Sequence, residues 1–257
     1  MVKGLYTAWT GMVNQQNRMD VLTNNLANSA TVGFKKEGAT SQAFDDVLAI
    51  KIKDSSDPAI ARGIGTMNLG VKIGENYTDY SQGAFKVTDN TFDLALSGEG
   101  FFACEYTTKS GETSVKYTRD GSFTLNVKGE LVTKDGDFVL DENGDHIVLD
   151  PKKPASFDQS GAIMQDGVIV GHIQVTDFED YNYLEHHGEN YFRPVDGAQM
   201  KEAEAKLFSG YLEQSNVTVI NEMVELISVS RNYETNQKLI QSIDGTLEIA
   251  ANQLGKI

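Results

Sequence analysis

The chain has 257 residues, 40% of them hydrophobic, and a formal net charge of −15, so it can build one large core or two smaller ones under an acidic surface. This charge argues against nucleic acid or an anionic membrane as a partner, because both call for clusters of Lys and Arg. No apolar run approaches the ~18 residues of a membrane-spanning helix. No continuous apolar stretch follows Lys3, so we expect no cleaved secretory signal. The single Cys104 excludes an internal disulfide framework.

The first predicted element is a helix with one apolar seam. Its seam residues recur at alternating spacings of three and four, with only Gln15 polar among them: Met1, Leu5, Ala8, Met12, Met19, Leu22 and Leu26. This heptad spacing is typical of a helix that buries a seam against a partner helix. We expect the helix to end near Ala27 or Asn28, because Asn24, Asn25, Asn28 and Gly33 crowd into the turn that follows.

Residues 31–75 form a predicted connector of mixed character. The segment from Ala43 to Lys53 can be read either as a short amphipathic helix or as an extended strand. Glycines then separate predicted strands around Met67–Ile73 and Asn76–Tyr80.

The middle of the chain is predicted to be a compact antiparallel β domain of about 130 residues, which is a usual domain size. Phe92, Leu94 and Leu96 alternate with other residues as in a half-buried strand. Four turn dipeptides then recur at hairpin spacing, namely Asp120-Gly121, Lys128-Gly129, Asp135-Gly136 and Asn143-Gly144. The aromatic residues that we expect in its core are Phe101, Phe102, Tyr117 and Phe123.

The chemical motifs of this middle segment favour structural interpretations. The run from Gly98 to Ala103 matches a dinucleotide-binding pattern, but it continues as a strand, so no helix N-terminus is left for a phosphate. The run from Asp141 to Asp145 resembles a calcium loop without its later ligands, and we expect a hairpin turn. His186 and His187 are predicted to be surface residues, and Cys104 a buried thiol. We therefore predict no catalytic residue, no cofactor and no metal.

The last predicted element is a long helix from Asn216 to Ile257. Its apolar seam has the same spacing, with Glu222 and Asn236 as its polar members: Val219, Leu226, Val229, Tyr233, Ile240, Ile243, Leu247, Ala250 and Leu254. Ser215 or Asn216 can cap its start, and Gly255 lies where it should end. Four further apolar residues widen the face at its start: Ile220, Met223, Val224 and Ile227.

Three arrangements can bury the two seams. Each helix can lie on the core of its own domain, the two helices can form an antiparallel hairpin, or both can pack among the helices of neighbouring subunits. The charge distribution bears on this choice, because residues 1–30 carry +1 and residues 216–257 carry −2, while residues 31–215 carry −14. Near-neutral ends can pack against copies of themselves, whereas an acidic middle is better placed in water.

Two runs of residues resemble a known family. The run from Leu22 to Lys35, Leu-Thr-Asn-Asn-Leu-Ala-Asn-Ser-Ala-Thr-Val-Gly-Phe-Lys, is similar to the Asn-Asn-Leu-Ala-Asn segment of the flagellar rod, hook and hook-junction proteins. The run from Gly210 to Asn221 resembles the C-terminal motif of the same proteins. The middle segment, with Gly98–Phe102 and Tyr117–Phe123, most resembles that of the proximal and distal rod proteins.

The resemblance implies a structural subunit of the bacterial flagellar basal body, exported through the flagellar type III channel without a cleaved signal and polymerised into a hollow axial tube. Its fold would be α+β, with a discontinuous coiled-coil-like helical domain lining the tube and an inserted, mostly antiparallel β domain outside. The predicted domains are 1–75, 76–206 and 207–257. Its partners would be copies of itself, other rod and hook axial proteins and the export apparatus, without nucleic acid or membrane insertion.

The expected assembly interface combines the seams with the N-terminal motif: Leu5, Met12, Met19, Leu22, Asn24, Asn25, Leu26, Asn28, Gly33, Phe34, Leu226, Val229, Tyr233, Ile240, Ile243, Leu247 and Leu254. Two other functions remain open. A secreted coiled-coil adhesin or interaction module would form a small oligomer of fixed size, and an enzyme would show a convergent polar pocket in the β domain.

Overall fold

The computed structural model describes residues 2–51, 62–108, 111–188 and 190–252. The chain is α+β, with one long helix near each end and antiparallel β-structure between them. The helices are α1 (Val2–Ala27) and α2 (Val219–Asn252), and a 3₁₀ turn spans Tyr181–Tyr183. The predicted end of the first helix is therefore confirmed. The predicted caps Ser215 and Asn216 are wrong, because α2 begins only at Val219, while Gly255 lies outside the described residues.

The strands of the described residues are, in chain order, β1 (Glu37–Ala43), β2 (Val47–Lys51), β3 (Arg62–Met67), β4 (Val71–Thr78), β5 (Phe85–Val87), β6 (Leu94–Ser97), β7 (Phe101–Thr107), β8 (Thr113–Thr118), β9 (Phe123–Leu125), β10 (Leu131–Thr133), β11 (Phe138–Val139), β12 (Ala155–Phe157), β13 (Ala162–Gln165), β14 (Val168–His172), β15 (Val175–Phe178), β16 (Leu184–His187), β17 (Tyr191–Pro194), β18 (Met200–Glu202), β19 (Lys206–Ser209) and β20 (Tyr211–Glu213). The segment from Ala43 to Lys51 is therefore extended, which decides between the two readings of the connector as far as it is described.

The described strands pair in six antiparallel sheets. The largest has nine strands, seven of them in the order β16-β17-β8-β7-β11-β10-β9, with β15 joined to β7 and β18 joined to β15. β12, β13 and β14 form a three-stranded sheet. The remaining strands pair as β1-β4, β2-β3, β6-β19 and β5-β20.

The chain divides into two compact units. Unit 1 contains Met1–Leu26, Glu37–Asp79 and Thr218–Ile257, and unit 2 contains Ala27–Lys36 and Tyr80–Val217. These bounds differ from the predicted boundary at 207, because β19 and β20 pair with β6 and β5 of unit 2. Those pairings join segments more than a hundred residues apart in sequence, which no local pattern of residues indicates.

In unit 1 the two helices lie antiparallel. Neighbouring residues run in opposite directions along the two helices. Arg18 contacts Glu225 and Asn25 contacts Glu222, while Cβ atoms added to Gly4 and Gly11 would lie within 4 Å of the side chains of Ile243 and Asn236. Arg18 and Glu225 form an ion pair of 2.6 Å. Of the alternatives for burying the seams, the structure therefore has the antiparallel pair within one chain. The described seam residues of α2 other than Val219 are buried or half-buried, as helix packing at this spacing requires.

Gly245 provides a test of α2. It lies inside the helix, and a Cβ atom added there would meet no other described atom within 4 Å. Because Gly costs roughly 1 kcal/mol relative to Ala in a helix interior, Gly245→Ala should raise the helicity of a peptide spanning 216–257. Circular dichroism at 222 nm measures this, and an unchanged or lower helicity would show that the helix breaks at this residue.

Unit 2 has two cores on the two faces of strand β7. Successive side chains of a strand point to opposite faces, so Phe102 and Cys104 pack into one cluster and Phe101 and Ala103 into the other. The first cluster also contains Phe123, and the second contains Tyr117. All four aromatic residues predicted for the core are therefore buried, and the β domain has a core of its own.

The prediction of a half-buried strand at Phe92–Leu96 is wrong. Leu94, Ala95 and Leu96 are all buried, so both faces of β6 are covered. The cause is tertiary, because β6 pairs with β19 and its Leu94 N–H also donates to the carbonyl of Gly121. The turns at Gly129 and Gly136 do join antiparallel neighbours, whereas that at Gly121 joins β8 to β9, which are not paired.

Candidate assembly interface

The two sequence motifs near the ends of the chain, Leu22–Lys35 and Gly210–Asn221, contact each other in unit 2. The N–H of Gly33 donates to the carbonyl of Glu213 at 2.8 Å, and the N–H of Lys36 donates to Oδ1 of Asn216 at 2.8 Å. The side chains of Lys35 and Glu213 form an ion pair of 2.7 Å. Residues that are about 180 positions apart therefore form one local structure.

Glu213 is the centre of a buried charge cluster, which we call the Glu213 cluster (Lys35, Arg119 and Glu213). Nη1 of Arg119 lies 3.3 Å from Oε2 of Glu213, and the three side chains are only 1–5% exposed. The cluster also has backbone partners. The N–H of Gly83 donates to Glu213 at 2.9 Å. Lys35 donates to the carbonyl of Ser81 at 2.9 Å, and Arg119 donates to the carbonyl of Gly98 at 2.7 Å. One carboxylate thus compensates two buried cations.

Gly33 and Phe34 are fixed beside this cluster. Gly33 has a φ of +71°, and a Cβ atom added to it would lie 2.5 Å from the backbone nitrogen of Asp120. Phe34 is buried, with its ring edge-on to that of His186 at a centroid distance of 6.2 Å. The prediction of His186 as a solvated surface residue is therefore wrong, because its ring is also packed against Phe192.

The substitution Gly33→Ala should destabilise unit 2 for two reasons, the left-handed backbone and the contact with Asp120. The backbone term alone is about 1–2 kcal/mol for an L-residue. Gly136→Ala is the matched control, because Gly136 has a φ of +94° but no described atom within 4 Å of its added Cβ. Urea unfolding should therefore show a larger decrease in the free energy of unfolding for Gly33→Ala than for Gly136→Ala. Equal decreases would argue against the close backbone contact.

Asn25 joins three elements of unit 1. Its side-chain amide donates to the carbonyl of Glu37 at 2.7 Å and accepts from the N–H of Glu37 at 2.9 Å. The same amide donates to Oε2 of Glu222 at 3.3 Å. Asn25 and Glu222 are both buried, so this contact links α1, β1 and the first turn of α2.

The expected interface residues thus fall into groups. Asn25, Gly33 and Phe34 make contacts inside the chain, Asn28 accepts from Thr31 Oγ1 at 3.2 Å, and Asn24 is exposed. The seam residues that are buried or half-buried are Leu5, Met12, Met19, Leu22, Leu26, Leu226, Val229, Tyr233, Ile240, Ile243 and Leu247. Leu254 lies outside the described residues. The role of all these residues in assembly stays a prediction.

Sequence reasoning gave less weight to the apolar surface that the helix pair leaves exposed. The α2 stripe (Ile220, Met223, Val224 and Ile227) is 48–72% exposed. Its spacing of three and four residues places it on one face of the helix. On α1, the Tyr6–Trp9 pair is also exposed, by 59% and 51%, with ring centroids 6.0 Å apart. The seam therefore serves the pairing of α1 with α2, whereas these two apolar surfaces stay exposed.

Family models match both ends and the middle of the chain. A model of flagella basal body rod proteins matches residues 5–35, and a model of the flagellar hook protein FlgE/F/G D1 domain matches residues 95–171. A model of the C-terminal part of flagellar basal body rod FlgEFG proteins matches residues 209–254.

Individual relatives match over the full length. The chain is 31% identical over 279 residues to the flagellar hook-basal body complex protein FlhO of Bacillus subtilis, covering 100% of both chains. It is 32% identical over 259 residues to the flagellar basal-body rod protein FlgF of Caulobacter vibrioides, again covering 100% of both. The chain belongs to the flagellar basal-body rod protein family. The rod protein FlgG of Bacillus subtilis is 34% identical over 281 residues, 98% of this chain and 99% of the relative.

The two terminal rod-family matches coincide with the structured contacts described above. The N-terminal match covers α1 from Leu5 and ends at Lys35 of the Glu213 cluster, while the C-terminal match begins just before β20 and covers α2 to its end. The two terminal matches therefore include residues that make contacts inside the chain as well as the exposed residues of the Tyr6–Trp9 pair and the α2 stripe.

Unit 2 of this rod-family chain also has surface clefts, one of them of about 590 Å³ and lined by Glu105, Glu142 and Tyr117 among others. Cys104 is buried, so the prediction of a buried thiol is confirmed. Burial raises the pKa of this thiol. No group of three or more His, Cys, Asp and Glu residues within the described ranges is placed to hold a metal ion. In the same part of the chain, no helix is both long and apolar enough to cross a membrane.

Proposed function

We propose that this chain is a structural, non-enzymatic subunit of the bacterial flagellar basal-body rod that polymerises with copies of itself and with other axial proteins. The observation that carries the proposal is the α2 stripe, four large apolar side chains left exposed beside a completed helix pair in a rod-family chain. An exposed apolar surface of this kind marks a protein–protein contact.

The parts of the chain would then have separate tasks. Unit 1 supplies helices that pack against those of neighbouring subunits in coiled-coil fashion and line the tube, because α1 and α2 together carry few charges for their length. Unit 2, with its own cores and most of the negative charge, faces outward. The subunit reaches the basal body through the flagellar export apparatus, and it neither inserts into the membrane nor binds nucleic acid.

The test uses paired substitutions of exposed apolar residues. The variant with Ile220→Ser and Val224→Ser, expressed in a strain lacking the full-length protein, should fail to restore motility. The reason is that the polar side chains remove the apolar contact. The matched control is Val168→Ser with Ile169→Ser, two exposed apolar residues of β14 in unit 2. Both variants should retain the thermal melt of the native protein.

Imaging of basal bodies that carry a tagged copy of the protein completes the test. The tag should lie along the rod in the native protein and be missing in the α2 variant. Normal rods and motility in the α2 variant would contradict the proposal. A soluble oligomer of fixed size without rod labelling would instead support the adhesin or interaction module.

A further inference from the structure

Unit 1 exposes two apolar surfaces of different shape on its helix pair. The α2 stripe is a row of flexible aliphatic side chains, whereas the Tyr6–Trp9 pair is a compact aromatic unit in edge-to-face contact at an interplanar angle of 73°. Trp and Tyr are the residues that most often anchor protein interfaces, because they bury a large area and lose little conformational freedom. The pair is therefore suited to dock on an apolar surface.

The aromatic pair cannot cover the stripe of its own chain. Glu222 contacts Asn25 of α1, so the stripe lies beside the C-terminal end of α1. A Cβ atom added to Gly11 would lie 3.1 Å from the side chain of Asn236, so Trp9 lies beside the middle of α2. Trp9 and Asn25 are 16 positions apart in one helix, which at 1.5 Å per residue is about 24 Å. The two surfaces lie near opposite ends of the region where the helices pair, so within one chain the aromatic pair is not the partner of the stripe.

We infer that the Tyr6–Trp9 pair of one copy packs on the α2 stripe of the next copy, so that subunits associate head to tail; this inference rests on the proposed function. The helix charges favour this pairing. α1 carries Lys3, Arg18 and Asp20, a net charge of +1, while α2 carries two basic and five acidic residues, a net charge of −3. Contact of α1 with α2 is therefore attractive, whereas contact of α2 with α2 is repulsive.

A head-to-tail contact also explains growth. Each copy that docks its aromatic pair still presents its own stripe, so the next copy can dock in the same way, and an open polymer results. A symmetric contact between identical surfaces would instead close at a dimer. The polymer therefore has a direction, because each subunit binds its two neighbours through two different surfaces.

Cysteine cross-linking separates these cases. Gln16 is exposed two turns from Trp9 on the same face of α1, and Ser228 is exposed one turn after Val224 on α2. The native Cys104 is buried and should react little. Gln16→Cys, Ser228→Cys and the double variant are expressed in strains lacking the full-length protein, and their isolated basal bodies are treated with a short bismaleimide.

The double variant should give a ladder of dimers and larger species. A strain that expresses both single variants should give dimers alone, and either single variant alone should give none. Trp9→Ala in the double-cysteine background should lower the cross-linked fraction about tenfold or more, since an interface anchor contributes at least a factor of ten in binding. Val168→Ala in unit 2 should leave it unchanged.

Several results would overturn the inference. Dimers from one single variant alone would show a symmetric contact, and no dimer from the mixed strain would show that the stripe receives another partner. A ladder insensitive to Trp9→Ala would remove the aromatic pair as the anchor. If motility depends on the protein but no ladder forms, the head-to-tail contact is wrong and the rod function stands. If a ladder forms but motility does not depend on the protein, the head-to-tail contact stands and the rod function is wrong.

Discussion

Replacing Glu213 by Ala should lower the free energy of unfolding of unit 2 by about 3–5 kcal/mol, because removal of one partner of a buried ion pair leaves uncompensated charge in the core. In this chain two buried cations, Lys35 and Arg119, share the carboxylate of Glu213. Both lose their charge partner when it is removed. Glu213→Gln should have a smaller effect, since its amide oxygen can still accept from the N–H of Gly83.

The control for this prediction is Glu185→Ala. Glu185 pairs with Arg193 in an ion pair whose two side chains are more than half exposed, and such pairs contribute about 0–1 kcal/mol. Both variants are measured by urea unfolding followed in the far-ultraviolet circular dichroism. The single Trp9 reports separately on unit 1 by its fluorescence. A loss under about 1 kcal/mol for Glu213→Ala would show that the cluster is hydrated and contributes no more than a surface pair.

The helices could be predicted from the sequence because their spacing is local information. Seam residues at alternating three and four positions identify both helices whatever the rest of the chain does, and the Asn-rich turn after Ala27 marks the end of α1. The start of α2 was placed too early. Asn216, chosen as a cap, instead accepts from the N–H of Lys36, a partner that only the folded chain brings near.

The Glu213 cluster could not be predicted from the sequence. A Lys or Glu in a sequence is usually a surface residue, and nothing near Lys35 or Arg119 marks it as buried. The β6–β19 and β5–β20 pairings that close unit 2 were missed for the same reason, because their partners are chosen by the whole fold.

The residues that lie in the seam between α1 and α2 could be predicted from the sequence, whereas their role in assembly stays a prediction. The heptad pattern correctly indicated which residues pack between helices, but it could not show whether the partner helix belongs to the same chain. In the structure, the seams of α1 and α2 face each other, so the apolar surfaces that stay exposed are the Tyr6–Trp9 pair and the α2 stripe. A row of apolar residues beside a seam is the signal that could have identified it, because one partner helix does not cover so wide a face.

Deleting residues 240–257 should abolish motility and leave unit 2 folded. The deletion removes five seam residues, Ile240, Ile243, Leu247, Ala250 and Leu254. Ile240, Ile243 and Leu247 are only half-buried in the single chain, so assembly can complete their burial. A large apolar side chain contributes about 1.5–3 kcal/mol when fully buried, and in a polymer this loss recurs at every subunit contact.

Unit 2 should survive because its cores contain none of the deleted residues. The buried side chains of the two clusters around β7 all lie between Leu94 and Leu207, and units with separate cores can fold alone. The measurements are swimming motility in a strain lacking the full-length protein and the thermal melt of the purified truncated chain. The control is a full-length variant with Gln241→Ala and Glu248→Ala, two exposed residues of the same segment, which should swim normally. Normal motility of the truncated strain would contradict the rod function, whereas a collapsed unit 2 would show that the end of α2 is needed to stabilise it.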